Sequence, residues 1–160
     1  MTNPEELKHE LEIKKDFNFI NDSLINVYDS IMRIEESELR KSRFKDITAK
    51  EVHLVHTIGL HDRKTTSQVA RILKLSKGTL TANLNTLERK GYVMRIANQE
   101  DRRIINLGLT SKGRLLYRAH DAFHRLLVER FLKGFDDDDI RLIKQAMINL
   151  EDFIDEVSAK

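Results

Sequence analysis

Apolar residues recur every three or four positions along most of this chain, and the places where that rhythm stops mark out its elements. Ile13, Phe17, Ile20, Leu24, Val27, Ile31 and Ile34 form a one-sided stripe that predicts a long first helix over 5–41, with a break near 16–21. The stripe serves either as a core-facing surface or as a seam between subunits. A polar link, SRFKDI at 42–47, follows. Thr48 with Glu51 three residues on is a capping box, opening a helix that carries Val52, Val55 and Ile58 and ends near Gly59. Thr65 or Thr66 caps a short helix with Val69, Ile72 and Leu73 inward. Ser76 caps the next, which buries Leu80, Leu84 and Leu87 and ends at Gly91. The period then changes. Residues 92–96 (YVMRI) and 104–109 (IINLGL) read as strands of a hairpin around the polar tip ANQEDRR. Thr110 caps a helix to Phe131 with Leu116, Ala119, Phe123, Leu126 and Leu127 on its apolar face. Gly134 stops it. Asp136–Asp139 open the last helix, favoured there by the macrodipole. Ile140, Ile143, Met147, Leu150, Ile154 and Val157 repeat the stripe of the first helix, which predicts that the two pack together across a dimer axis.

The expected fold is therefore mainly α with a small β-hairpin wing: a winged helix-turn-helix over 48–110, between dimerisation helices at 1–41 and 111–160.

Charge gives this frame a function. The chain has a net charge of +2, yet residues 63–118 carry 13 Lys+Arg against three acids, +10, so the remainder sums to −8. Positive charge gathered in the helix-turn-helix and hairpin is an electrostatic footprint for a polyanion. Lys77, Thr79, Thr81, Asn83, Asn85 and Thr86 face outward on the Ser76-capped helix, and small polar residues with one cation suit base edges in a major groove. The alternative is an ordinary solvated helix face. Arg102 and Arg103 at the hairpin tip suit a minor groove, where a narrow groove concentrates negative potential. Asp101 is expected to hold Arg103 in place by a charge-assisted hydrogen bond, unless the tip is a plain surface turn whose ion pair counts for little.

Other function classes find little in the chain. It has no cysteine, so disulfides, thiolate metal sites and thiol redox sensing are excluded. No apolar run approaches a membrane span, and the first fifteen residues are too acidic and polar for a signal peptide, so a cytoplasmic protein is expected. No nucleophile elbow, P-loop or dinucleotide fingerprint is present, which speaks against an enzyme.

The stretch SKGTLTANLNTLERKGYVMRI, followed by Asp101-x-Arg103, then Leu109-Thr110 and Lys112-Gly113, resembles the MarR family of winged helix-turn-helix regulators. The resemblance implies a dimer with interlocked terminal helices and two recognition helices in successive major grooves, about 34–36 Å apart, on a pseudo-palindromic operator. The DNA-contacting residues it implies are Thr66, Ser67, Gln68, Ser76, Lys77, Gly78, Thr79, Thr81, Asn83, Asn85 and Arg89 in the two helices. In the wing they are Asp101, Arg102, Arg103 and Lys112, with Arg103 in the minor groove and Arg102 and Lys112 on phosphates.

Within the family, IEE at 34–36, LRKSRFKDI at 39–47, KEVH at 50–53, GTLTANLNTLERKGY at 78–92 and the HDAFH segment look most like the fatty-acid-synthesis repressors of Gram-positive bacteria. That likeness implies long-chain acyl groups on acyl carrier protein as co-repressor and no required cofactor. Such an effector needs an apolar tunnel and a basic docking surface for an acidic carrier. Arg40, Lys41, Arg43 and Lys45, beside Phe44, are candidates for the surface. Ile31, Val52, Val55, Leu116, Ala119 and Phe123 are candidates for the tunnel or, equally, plain core.

Two alternatives remain. His120 and His124 stand at i, i+4 and His53 and His56 at i, i+3, so a zinc-responsive regulator using His53, His120, His124 and an acid such as Glu35, Glu36 or Glu38 is the runner-up. A helical dimeric adaptor that has lost DNA binding is the other.

Overall fold

Each predicted start signal is occupied by its expected side chain. The computed structural model describes residues 4–61 and 63–159, without the side chains at 4, 6–11 and 13; Ile13 of the first stripe lies outside the described side chains. The element order is α1 (Pro4–Lys41), α2 (Ala49–Ile58), α3 (Thr66–Ile72), α4 (Lys77–Arg89), β1 (Val93–Ala97), β2 (Ile105–Leu109), α5 (Ser111–Phe131) and α6 (Asp137–Ser158). Thr48 and Glu51 form a complete capping box on α2, and Thr65 with Gln68 forms another on α3. Ser76 caps α4 by accepting from the Thr79 N–H, and Asp136 with Asp139 caps α6. Thr110 Oγ1 accepts from the Gly113 N–H at 3.1 Å at the start of α5.

The break expected near 16–21 is absent. Helix α1 runs unbroken for 38 residues. Asp16, Asn18 and Asn21 are weak helix formers, but no proline or glycine follows Pro4 in this helix to remove a hydrogen bond or loosen the backbone.

The chain divides into two compact units, Met1–Tyr117 and Arg118–Lys160. In the first, α4 leads directly into the hairpin. Gly91 adopts φ +81°, the Tyr92 N–H reaches the Leu87 carbonyl at 2.9 Å and the Gly91 N–H reaches Glu88 at 3.0 Å. This is a Schellman turn, which needs a residue free of Cβ strain at its left-handed position. It places Tyr92 inside the core and sends β1 back alongside α4. The strands pair antiparallel, with Val93 opposite Leu109 and Arg95 opposite Leu107. A bridge between Thr65 and Asn106, with Leu107 N–H donating to Lys64 O at 2.8 Å, fastens the hairpin to the segment that enters α3.

The core under this layer includes Val52, Val55 and Ile58 from α2, Val69 from α3, Leu80, Leu84 and Leu87 from α4, Leu107 and Leu109 from β2, and Leu116 from α5. Ile72 was expected to face inward but is 54 % exposed. The buried residues of the seven-residue α3 are Val69 and Ala70, and Ile72, at its last position, is left at the solvent edge of that face.

The stripe on α1 leaves Phe17, Ile20, Leu24 and Val27 more than half exposed within one protomer. In the second unit α6 buries no residue, and Phe153, Ile154 and Val157 are exposed. Apolar faces of this extent are more than a monomeric soluble protein leaves open. Among the described residues, no helix is long and apolar enough to cross a membrane.

Candidate nucleic-acid interface

Helices α3 and α4 and the hairpin border an open pocket of about 280 Å³ lined by Thr66, Ser67, Lys77, Thr81, Arg95 and Ile105, among others. Leu80, Leu84 and Leu87 are at most 2 % exposed, so the opposite face of α4, with Lys77, Gly78, Thr79, Thr81, Asn83, Asn85 and Arg89, is held toward solvent. Several of those side chains already have internal partners. Thr81 Oγ1 donates to the Lys77 carbonyl at 2.8 Å, which leaves its lone pairs to accept from a ligand. Ser76 Oγ and Thr79 Oγ1 lie 2.8 Å apart.

Gln68 was expected to contact DNA. Its Oε1 accepts from the Thr65 N–H at 2.8 Å, so the amide carbonyl closes the capping box of α3 and only the NH2 end is turned outward.

The hairpin tip is built by two side chains. Asn98 Oδ1 accepts from the N–H groups of Glu100 and Asp101, at 2.8 and 3.1 Å. Asp101 Oδ1 accepts from the Arg103 N–H at 2.9 Å. These are Asx turns, the local bonding for which Asn and Asp are favoured in loops. Contrary to the expectation from sequence, the bond from Asp101 goes to the Arg103 backbone N–H and not to its guanidinium. It fixes the backbone from which Arg103 projects. Arg102 and Arg103 are both exposed. Asn98 was missed, although an Asn at the second position of a seven-residue polar tip is itself a turn signal.

Lys112 was expected on phosphates and is engaged internally. Its Nζ donates to Asp46 Oδ2 and to the Lys90 carbonyl, each at 3.0 Å, and sits 4.1 Å from the centre of the Tyr92 ring. Tyr92 in turn donates its hydroxyl to Asp46 Oδ1 at 2.6 Å. The Lys90 ammonium reaches both carboxylate oxygens of Glu51 at 2.8 Å. Together these contacts tie the α1–α2 link and the cap of α2 to the turn from which the hairpin springs.

The Asp46 carboxyl is held below its ordinary value: burial would raise it, but hydrogen bonds from Tyr92 and Lys112 outweigh that. Burial, then the hydrogen bond to Asp46, push the Tyr92 phenol far up. A depressed carboxylate contributes stability in full above the ordinary value near pH 4, lost as pH falls through its lower folded value. Asp46→Asn is thus expected to cost about 1 kcal/mol at pH 7, a modest figure because the Asp46 side chain is 43 % exposed. In urea melts the two proteins should converge as pH falls toward about 2; equal stability at pH 7 would show that the network carries no weight.

The effector candidates separate. Phe44 is 7 % exposed and packs with Tyr92 at 6.4 Å between ring centres, so it belongs to the core and not to a docking surface. Arg40 pairs with Glu36 at 3.8 Å and Lys41 with Glu38 at 3.3 Å, while Arg43 and Lys45 are exposed. Val52, Val55 and Leu116 are at most 2 % exposed and packed into the core; Ile31 is half-buried. In the second unit Phe123 is half-buried and Ala119 exposed. His53 Nε2 lies 3.3 Å from Glu35 Oε2, whose side chain is 5 % exposed, and His120 Nε2 lies 3.1 Å from His124 Nε2.

The family model described as the MarR family matches residues 47–105. The chain is 40% identical to Streptococcus pneumoniae FabT, solved in complex with DNA, over 88% of this chain and 99% of that one, with a TM-score of 0.78. It is 20% identical to S. aureus MepR in a DNA complex, covering 82% and 93%, with a TM-score of 0.67, a likeness of fold. Among curated relatives, the transcriptional repressor MdtR of Bacillus subtilis (strain 168) is 20% identical over 121 residues, 76% of this chain and 78% of MdtR.

Proposed function

The chain belongs to the MarR family of DNA-binding transcriptional regulators, and from that membership we propose that it is a cytoplasmic, homodimeric repressor of fatty-acid biosynthesis genes, with long-chain acyl-acyl carrier protein as co-repressor. It is not an enzyme; its relatives are regulators. The observation that carries the reading is the 40% identity to FabT over nearly all of that chain. The arrangement of the unit supports it: the polar face of α4 is open, and two arginines stand exposed on a tip braced by Asn98 and Asp101.

Homodimerisation rests on the apolar faces of α1 and α6. Burying one Phe, Leu or Ile side chain is worth about 1.5–3 kcal/mol, so covering these stripes supplies the driving force that offsets the cost of association. Two α4 helices then read successive major grooves, with Lys77, Thr79, Thr81 and Asn83 at base edges and Arg103 in the minor groove. Arg43 and Lys45 offer the carrier protein exposed positive charge. An acyl chain would have to open the packing around Val52, Val55 and Leu116, which couples its binding to the position of α2.

Mobility shift of a pseudo-palindromic duplex, with and without carrier protein loaded with acyl chains of graded length, is the test. Long chains should tighten binding by roughly five- to a hundredfold, the usual range of allosteric coupling. No dependence on chain length would remove the acyl effector and leave the repressor. No shift of any duplex would favour the adaptor. The zinc-responsive alternative draws on the close pair His120–His124. Titration calorimetry of chelator-treated protein with zinc decides it, since no uptake at micromolar metal ends that reading.

A further inference from the structure

Arg95 was not among the sequence-derived candidates, yet it is the wing residue most closely joined to the recognition helix. It lies on β1 opposite Leu107, with its side chain 29 % exposed, in the wall of the pocket between α3, α4 and the hairpin. Its Nη2 donates to Asn85 Oδ1 at 2.7 Å, and its Nη1 donates to a carboxylate oxygen of Glu88. Asn85 and Glu88 are one turn apart on α4, so a single guanidinium spans both.

The chemistry of this contact fixes the orientation of the Asn85 amide. A guanidinium has five donors and no acceptor, so only the carbonyl end of Asn85 can face it. The NH2 end is then directed away from Arg95, on the exposed face of α4. Glu88 keeps the guanidinium from swinging out to a phosphate, because leaving would separate a charge-assisted pair.

An unconstrained asparagine pairs with adenine, donating to N7 and accepting from N6–H2. The Asn85 carbonyl keeps a second lone pair, but Arg95 holds it turned to the wing, so the groups that Asn85 presents outward are its N–H donors and not an acceptor for the adenine amino group. Its two N–H donors match an edge that presents acceptors alone, and guanine offers two side by side, O6 and N7. We propose that Arg95, pinned by Glu88, is a specificity-determining residue that converts Asn85 from an adenine reader into a donor-only reader of guanine. This inference rests on the DNA-binding reading above and names the base chemistry at one position of the operator. Arg95 itself touches no base; it is a positioning residue acting through Asn85.

The test is selection of binding sites from a random duplex library by wild type and four variants, sequencing the enriched pools. Asn85→Ala locates the base pair concerned, as the position whose preference relaxes. At that position wild type should favour guanine over adenine by roughly tenfold or more. Arg95→Met keeps the stem but removes every donor, which frees the carbonyl. It should shift the preference there to adenine and leave the other positions unchanged. Glu88→Gln should weaken the guanine preference in the same direction. Arg95→Lys, which still donates to the carbonyl, should keep guanine. Thermal melts confirm that each variant is folded. An adenine preference in wild type, guanine retained in Arg95→Met, or no position relaxed by Asn85→Ala would each overturn the proposal while leaving the DNA-binding reading in place. Failure of wild type to enrich any sequence would overturn both.

Discussion

Arg103→Ala is expected to lower operator affinity by roughly a hundredfold or more while leaving the dimer and its melting temperature unchanged. Two features of the wing set that size. Arg103 is exposed at the tip, so it gives up little packing when truncated. Its backbone, however, is not loose. The Asp101 carboxylate holds the Arg103 N–H, Asn98 holds the two residues before Arg102, and the Asn98 N–H pairs with the Ile104 carbonyl at 3.1 Å. The backbone under the cation is therefore already ordered in folding, and binding has only the side chain left to order. A charge-assisted contact in a narrow minor groove is strong, and a homodimer loses it twice. Isothermal titration or fluorescence anisotropy measures the affinity; sedimentation checks the dimer. Wild-type affinity in the variant would refute the placement of the wing. Asp101→Asn retains an oxygen that can accept the Arg103 N–H, so it should weaken binding much less than Asp101→Ala.

The second large effect is on folding. Gly113 lies at the start of α5 where the chain crosses the back of the Schellman turn, and a Cβ there would stand 2.0 Å from the Tyr92 carbonyl oxygen and 3.3 Å from Leu109 Cβ. The obstacle is backbone, held by the Thr110 N–H at 3.1 Å from the same Tyr92 oxygen, so no side chain can swing aside. Gly113→Ala should cost about 3 kcal/mol or more and lower the melting temperature by roughly 10 °C. Gly78 gives the opposite sign in the same unit. It lies within α4, and a Cβ there meets nothing within 4 Å. Gly78→Ala should stabilise the free protein by about 0.5–1 kcal/mol through helix propensity. Scanning calorimetry reads both. A melting point for Gly113→Ala within a degree or two of wild type would show that the turn is more yielding than its contacts imply.

These effects show which parts of the protein sequence reasoning reaches. Helix starts were legible because a cap is a local bond: Thr48 with Glu51, Ser76 with Thr79 and Asp136 with Asp139 need nothing beyond their own turn. The recognition helix was legible because the spacing of Leu80, Leu84 and Leu87 fixes which face is buried. The roles of individual polar residues were less so. Gln68, Asp101 and Lys112 were each expected to serve DNA and are each engaged within the protein. In the first two the bond is short-range, and a capping or Asx pattern competes with the functional reading of the same letters. Lys112 meets Asp46 across 66 positions, Tyr92 meets Asp46 across 46, and Arg95 meets Asn85 only once the hairpin has folded back. No periodicity announces such pairs. Phe44, a candidate effector contact beside four basic residues, lies in the core, because alternation in a link of six residues is too brief to separate a buried position from an exposed one.

Operator binding by this protein depends on two copies of one cationic unit set at a fixed spacing on a duplex. The most direct measurement is the binding of dimer to a selected operator and to the same operator with five base pairs inserted between its halves, which rotates one half to the far side of the helix. Tight binding to the first, at two chains per duplex, and loss of that binding on insertion are expected. Equal affinity for the two duplexes, or one chain bound per operator, would contradict the account.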